Sequence, residues 1–128
     1  MTEFSPHKPY DLTFEHRPEY LYAFIEGEHD SYKISRQYWQ EIAEMCTEYG
    51  CKKVLVEEDI AEGISIAEIY RLVSELAEMG FLGIKVAFVD RQLDQAELND
   101  FGVLVGTNRG LNGKAFADQA AAEAWLLS

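Results

Sequence analysis

Hydrophobic and polar positions divide the chain into short runs of two different periods. Between Tyr10 and His16 the stretch YDLTFEH alternates, with Leu12 and Phe14 on one face, and a period of two marks a half-buried strand. Arg17-Pro18-Glu19 then leads into YLYAFIEG, residues 20 to 27, a second strand; a proline in the connection suits a turn or an edge. From residue 35 the period lengthens. Tyr38, Ile42, Met45 and Tyr49 recur at helical spacing and stop at Gly50, a residue that ends helices in left-handed backbone. KKVLVE, 52 to 57, reads as a third strand and IAEIYRLVSELAEMG, 66 to 80, as a helix with Ile66, Ile69, Val73, Leu76 and Met79 on one stripe and Gly80 as its stop. IKVAFVD, 84 to 90, is a fourth strand, and 95 to 108 a third helix carrying Leu98, Phe101, Leu104 and Val105. Gly102 and Gly106 each weaken that helix by about 1 kcal/mol relative to alanine. NRGLNG is a loop, KAFA a short last strand, and QAAAEAWLLS a terminal helix ending in Trp125 and Leu126.

The order β-β-α-β-α-β-α-β-α predicts an α/β fold. Strands that alternate with helices need crossover connections, so the expectation is one five-stranded, mostly parallel sheet with an antiparallel first strand and four helices. A length of 128 residues suits one domain, with residues 1–9 expected to be irregular and roughly two-thirds of the unfolded chain's surface buried on folding.

Composition narrows the function classes. No run approaches the ~18 apolar residues of a membrane span. The first twenty residues hold Glu3, Pro6, Pro9, Asp11 and Glu15 and lack the basic-then-apolar pattern of a secretory leader, so the expected compartment is the cytoplasm. A net charge of −12 argues against nucleic acid and anionic lipid surfaces, which are bound through basic patches. It leaves a basic protein surface as the natural complement, beside the plainer role of keeping the chain in solution. Cys46 and Cys51 follow neither a C-x-x-C nor a zinc spacing and read as packing thiols; His7, His16 and His29 lack an i,i+4 partner, so neither metal nor cofactor is expected.

The stretch VEEDIAEGISIAEIY, 56 to 70, carries the chemistry-bearing candidates. Ser65 and Glu68 fit an S-x-x-E capping box, with Ile64 and Ile69 placed as a hydrophobic staple. Asp94 with Glu97, flanked by Leu93 and Leu98, repeats the device, and Ser35 sits where a third cap is expected. A cap explains Ser65 without further chemistry; a phosphate on it would meet free backbone amides but also Glu57, Glu58, Asp59, Glu62 and Glu68, whose charges repel it. Glu57, Glu58 and Asp59 at the end of one parallel strand, and Asp90 at the end of the next, lie where α/β proteins commonly place ligands. They read as solvated loop acids, with a hard divalent cation as the less favoured use.

From about Tyr10 to Ser128 the chain resembles the STAS/SpoIIAA-like family, the anti-sigma-factor antagonist fold. The resemblance is carried by the leading pair of strands, KKVLVE running into a loop and helix, IKVAFV followed by an acid-capped helix, and the ending KAFADQAAAEAWLLS. That ending is also similar to small STAS-like proteins related to CRAL/TRIO lipid-binding modules. The resemblance implies a regulatory or interaction role, and it sets Ser65 at the family's phosphoacceptor serine. Here Ile64 replaces the aspartate of the D-S-x-G pattern, and Ala67-Glu68 supply no glycine.

Two readings follow. The first is a non-catalytic interaction module presenting Glu57, Glu58, Asp59, Ile60, Ile64 and Asp90 to a basic protein partner. Self-association as a homodimer is a further expectation, through the edge strand around Leu12 and Phe14 or the face bearing Gly102 and Gly106. The second is a carrier of a small apolar ligand or a lipid in an aromatic-lined pocket, for which the many aromatics supply material. No G-x-S-x-G, phosphate-cradling loop or Cys/His pair is present, so no enzyme activity is expected.

Overall fold

The structure is a computed structural model and describes residues 8–128; most of the segment expected to be irregular, 1–9, lies outside the described residues. The elements are β1 (Tyr10–His16), β2 (Leu21–His29), α1 (Tyr32–Tyr49), β3 (Lys53–Glu62), α2 (Ile66–Leu76), β4 (Lys85–Asp90), α3 (Ala96–Asn108), β5 (Asn112–Phe116) and α4 (Gln119–Leu126). A π-helical turn over Ala77–Phe81 extends α2, and the chain leaves it through Gly80 at φ 115°. A 3₁₀ turn, Leu93–Gln95, precedes α3.

The strands lie side by side in sequence order, β1-β2-β3-β4-β5. β1 runs antiparallel to β2, with Leu12 opposite Ile25 and Phe14 opposite Ala23, and the other three pairings are parallel. Three successive right-handed crossovers stepping in one direction put their helices on the same face of a sheet. Accordingly α1 and α2 pack with Ala23, Ile25, Val54, Val56 and Ile60 in one buried cluster. Helix α4 follows the last strand and is free of that constraint. It covers the opposite face, where Ala122 and Leu126 pack with Leu55, Ala87 and Val89.

Three local expectations are corrected. Helix α1 begins a turn earlier than Ser35, because Ser31 is the cap: its hydroxyl accepts from the Ile34 amide at 3.1 Å. The Asp94 box does not form, since the chain enters α3 through the 3₁₀ turn and Asp94 lies inside that turn instead of before the helix. The third strand does not end at Glu57. β2 runs to His29 and pairs Phe24, Ile25, Glu26 and Gly27 with Glu57, Glu58, Asp59 and Ile60, so the acids expected in a loop are strand residues. The box at Ser65 does form, with the Ser65 hydroxyl accepting from the Glu68 amide at 3.2 Å and the Glu68 carboxylate accepting from the Ser65 amide at 3.0 Å.

Gly102 and Gly106 are used inside the fold. A Cβ at Gly102 would stand 3.4 Å from Ile69, and one at Gly106 would stand 3.3 Å from Val73. They let α3 approach α2, which occupies the face expected to meet a second copy. β1 remains an edge strand.

Candidate functional site

In a strand, neighbouring residues point to opposite faces. Along β3 this sends Val54, Val56, Glu58 and Ile60 toward the three-helix layer and Leu55, Glu57 and Asp59 toward the α4 face. Glu58 therefore stands in a row of core residues, 6% exposed. Its neighbours across the sheet are Ile25 on β2 and Asp90 on β4, and Asp90 is itself 4% exposed.

The Glu58 carboxyl meets the hydroxyl of Tyr38, a fully buried residue of α1. The same hydroxyl lies 3.1 Å from Asp30 Oδ2 and 3.2 Å from Ser35 Oγ. Asp30, in the β2–α1 turn, also accepts from the Ser35 hydroxyl at 2.7 Å and the Ser31 amide at 2.8 Å. Tyr38 has one proton and faces two carboxyls, so it cannot donate to both. The Tyr38 hydroxyl is placed to donate to either carboxyl, and two acids around one phenol are both satisfied only when one of them keeps its proton. The energetics agree. Burial pushes the Glu58 carboxyl up to about 8, opposed by the Tyr38 hydroxyl and reinforced by Asp30 and Asp90. Burial also raises Asp30 and Asp90 above the ordinary carboxylate range, although each is held by donors, Asp90 by the Asn99 amide at 2.9 Å and the Gln92 backbone amide at 2.9 Å.

This carboxyl group forms one end of a cavity of about 140 Å³ between the sheet and helices α1, α2 and α3. The body of the cavity is apolar, walled by Trp39, Leu72, Phe81, Phe88 and Val103 among others; Asp30, Ser35, Tyr38, Glu58 and Asn99 close its polar end. Gly63, Ile64 and Gln95 form the rim there. This polar end lies at the carboxyl ends of the parallel strands, where open α/β sheets bind ligands.

The sequence candidates part company at this site. Glu58 and Ile64 line the cavity. Ile60 is fully buried, and Glu57 and Asp90 are 4% exposed. With Glu58 buried as well, four of the six residues expected to form an interaction surface do not present one, because Glu57, Glu58 and Ile60 are held within β3 and Asp90 within β4. Asp59 stays partly exposed and accepts from the Gln92 side chain at 2.9 Å. Ser65 is exposed and occupied with its cap. Asp30 and Asn99 are not singled out by the sequence, and Ser35 and Tyr38 read there only as a helix cap and a helix core position. The available signal was Glu58 itself, in register with Val54 and Val56 once the strand is carried past residue 57. Among the described residues no group of three or more His, Cys, Asp or Glu side chains is placed to hold a metal ion, and Cys46 and Cys51 are free thiols.

The other face of β3 carries a second polar group. Glu57 takes Arg91 Nε at 2.6 Å, the Tyr22 hydroxyl at 2.6 Å and the Gln119 amide at 2.7 Å. Arg91 lies over the Phe24 ring at 4.5 Å and Arg17 over Tyr22 at 4.1 Å.

The five-stranded mixed sheet and four helices define a SpoIIAA-like α/β fold. An uncharacterised protein of the DUF3478 family from Shewanella loihica PV-4, described as having a SpoIIAA-like fold, superposes with a TM-score of 0.55 at 13% identity, over 96% of this chain and 98% of that one. No family model matches the chain, and no curated protein does. Among the described residues no helix is long and apolar enough to cross a membrane.

Proposed function

We propose that this chain is a small-molecule binding module that takes an apolar ligand into the cavity between its sheet and its three-helix layer, and that its role is binding without chemistry. The observation that carries the reading is the cavity itself, mostly apolar in its lining, with the buried cluster of Asp30, Ser35, Tyr38, Glu58 and Asn99 gathered at one end. That is the general build of ligand sites, in which apolar walls supply affinity and a few polar groups fix orientation. At about 140 Å³ the space suits a ligand built on a single ring, since an engineered apolar cavity of about 150 Å³ binds benzene. Benzyl alcohol titrated into the protein is expected to bind and to shift the methyl resonances of Leu72, Val103 and Ile64 in NMR spectra. Val86→Phe, which fills the cavity from β4, is expected to abolish those shifts. Unmoved methyl resonances at saturating benzyl alcohol would defeat the reading.

A second reading, a protein-interaction module, is favoured by Leu93. It is 66% exposed in the turn after β4, beside the Gln92 that holds Asp59. An apolar side chain rimmed by acids suits a basic partner surface. A partner captured by the wild type and lost on Asp59→Lys with Leu93→Asp supports this reading; retention of the partner by the double variant counts against it.

A further inference from the structure

We propose that the ligand of this cavity is a small apolar amine, bound as its ammonium ion against Glu58 and Asp30. The inference rests on the binding reading above and names the chemistry of the ligand's polar end.

Charge balance at that end of the cavity carries the argument. Glu58 is more than nine-tenths buried, lines the cavity, and makes its only carboxyl hydrogen bond among the described residues with Tyr38. One of its two oxygens is thus left for whatever occupies the space. Asp30 from the β2–α1 turn faces the same hydroxyl, Asp90 stands beside Glu58 on β4, and Glu68 on α2 adds negative charge toward Asp30. No lysine, arginine or histidine among the described residues bridges Asp30, Glu58 or Asp90: His29 pairs with Glu62, and Arg91 with Glu57 and Asp59. Lys114 is the one basic residue in the lining, and its ammonium lies over the Phe116 ring at 5.7 Å, on the α4 face. A buried carboxyl with no counter-ion stays neutral by keeping its proton. A cation that brings its own apolar body supplies what the protein omits, whereas a carboxylate or phosphate ligand would meet uncompensated acids.

The proton balance is fixed whichever species enters. The free protein holds a proton on Glu58 and free amine is RNH₃⁺ in solution. The complex is RNH₃⁺ against Glu58 carboxylate. If RNH₃⁺ enters, Glu58 gives its proton to buffer; if RNH₂ enters, the amine has already given one to buffer and takes the proton of Glu58. Either route releases about one proton per ligand at pH 7, because the Glu58 carboxyl titrates near 8. Binding therefore tightens as pH rises toward that value.

The test is calorimetry with benzylamine, benzyl alcohol and benzoate as probes, in buffers of different ionisation enthalpy. Benzylamine is expected to bind at least tenfold more tightly than benzyl alcohol at pH 7, with release of close to one proton. Its affinity should rise roughly tenfold between pH 6 and pH 7, benzyl alcohol should show no such slope, and benzoate should not bind. Glu58→Gln keeps the size and neutral hydrogen bonding of the protonated acid. It should lose at least tenfold in benzylamine affinity relative to benzyl alcohol, and remove the slope. Binding of benzyl alcohol with benzylamine no tighter, or benzylamine binding without proton release, would overturn the inference and leave the pocket reading standing. Benzylamine affinity unchanged in Glu58→Gln would overturn it too. Failure of every probe would overturn both.

Discussion

Glu57 and Glu58 are consecutive residues of one strand, equally removed from water, and the protein treats them in opposite ways. On the α4 face Glu57 receives a guanidinium, a phenol and an amide. On the other face Glu58 receives one tyrosine hydroxyl that it shares with Asp30. The difference is not one of depth, since the two are 4% and 6% exposed. It lies in what surrounds them. Burying a charge is tolerable when a partner and donors replace the lost water, and Glu57 has both. Glu58 lacks a cation and has an empty space instead. The fold supplies full compensation on one side of the strand and withholds it on the other.

The largest consequence is in the pH dependence of stability. The folded-state pKa of Glu58, about 8, lies above the ordinary carboxyl value of 4.5. Between those values the folded chain holds a proton that the unfolded chain has released. Stability is then fully present below pH 4.5 and is lost as pH rises toward 8, by a few kcal/mol in total. Chemical denaturation of the wild type at pH 5 and pH 8 should show that loss, and Glu58→Gln should remove most of it, because an amide does not titrate. Equal losses in the two proteins would mean that Glu58 is already ionised at neutral pH, and the contrast with Glu57 would collapse.

Glu57→Ala should cost somewhat less, about 2–3 kcal/mol at pH 7, by leaving the Tyr22 hydroxyl and the Gln119 amide without their acceptor and Arg91 without its partner. At the same pH, Glu58→Gln is expected to raise stability by up to the few kcal/mol that the wild type has lost above pH 4.5, since the amide stays neutral in the unfolded chain as well as in the folded one. Urea midpoints compared across the two variants give the contrast directly, and a Glu58→Gln loss as large as that of Glu57→Ala would erase it.

How much of this was legible in the sequence follows from the range of the interactions involved. The order of elements and the parallel sheet came from periodicity, and the box at Ser65 came from residues three positions apart. Both are local. The site depended on where β3 ends, and that is decided by β2: its pairing partners at Phe24 to Gly27 hold Glu57 to Ile60 in the sheet, although three consecutive acids look like a loop by composition. Asp30 and Tyr38 meet Glu58 only after the β2–α1–β3 crossover closes, and no spacing within a helix or strand announces such a meeting. The false cap at Ser35 has the same origin. Its hydroxyl belongs to the Asp30 cluster, so a residue that looked like punctuation is part of the site.

The smallest expected effect sets the scale for the others. Ser65 is exposed, its hydroxyl caps α2, and it touches neither acid. Ser65→Ala should cost about 1 kcal/mol of stability, the usual value of such a cap, and the cost should be the same at pH 5 and pH 8 because no titrating partner is lost from either face of β3. Benzyl alcohol binding should be unchanged, since the cavity walls from α2 lie a turn or more further along at Ile69, Leu72 and Val73. If Ser65→Ala weakens ligand binding several-fold, the start of α2 is coupled to the rim at Gly63 and Ile64. The carboxyl contrast on β3 would then be only part of what governs the cavity.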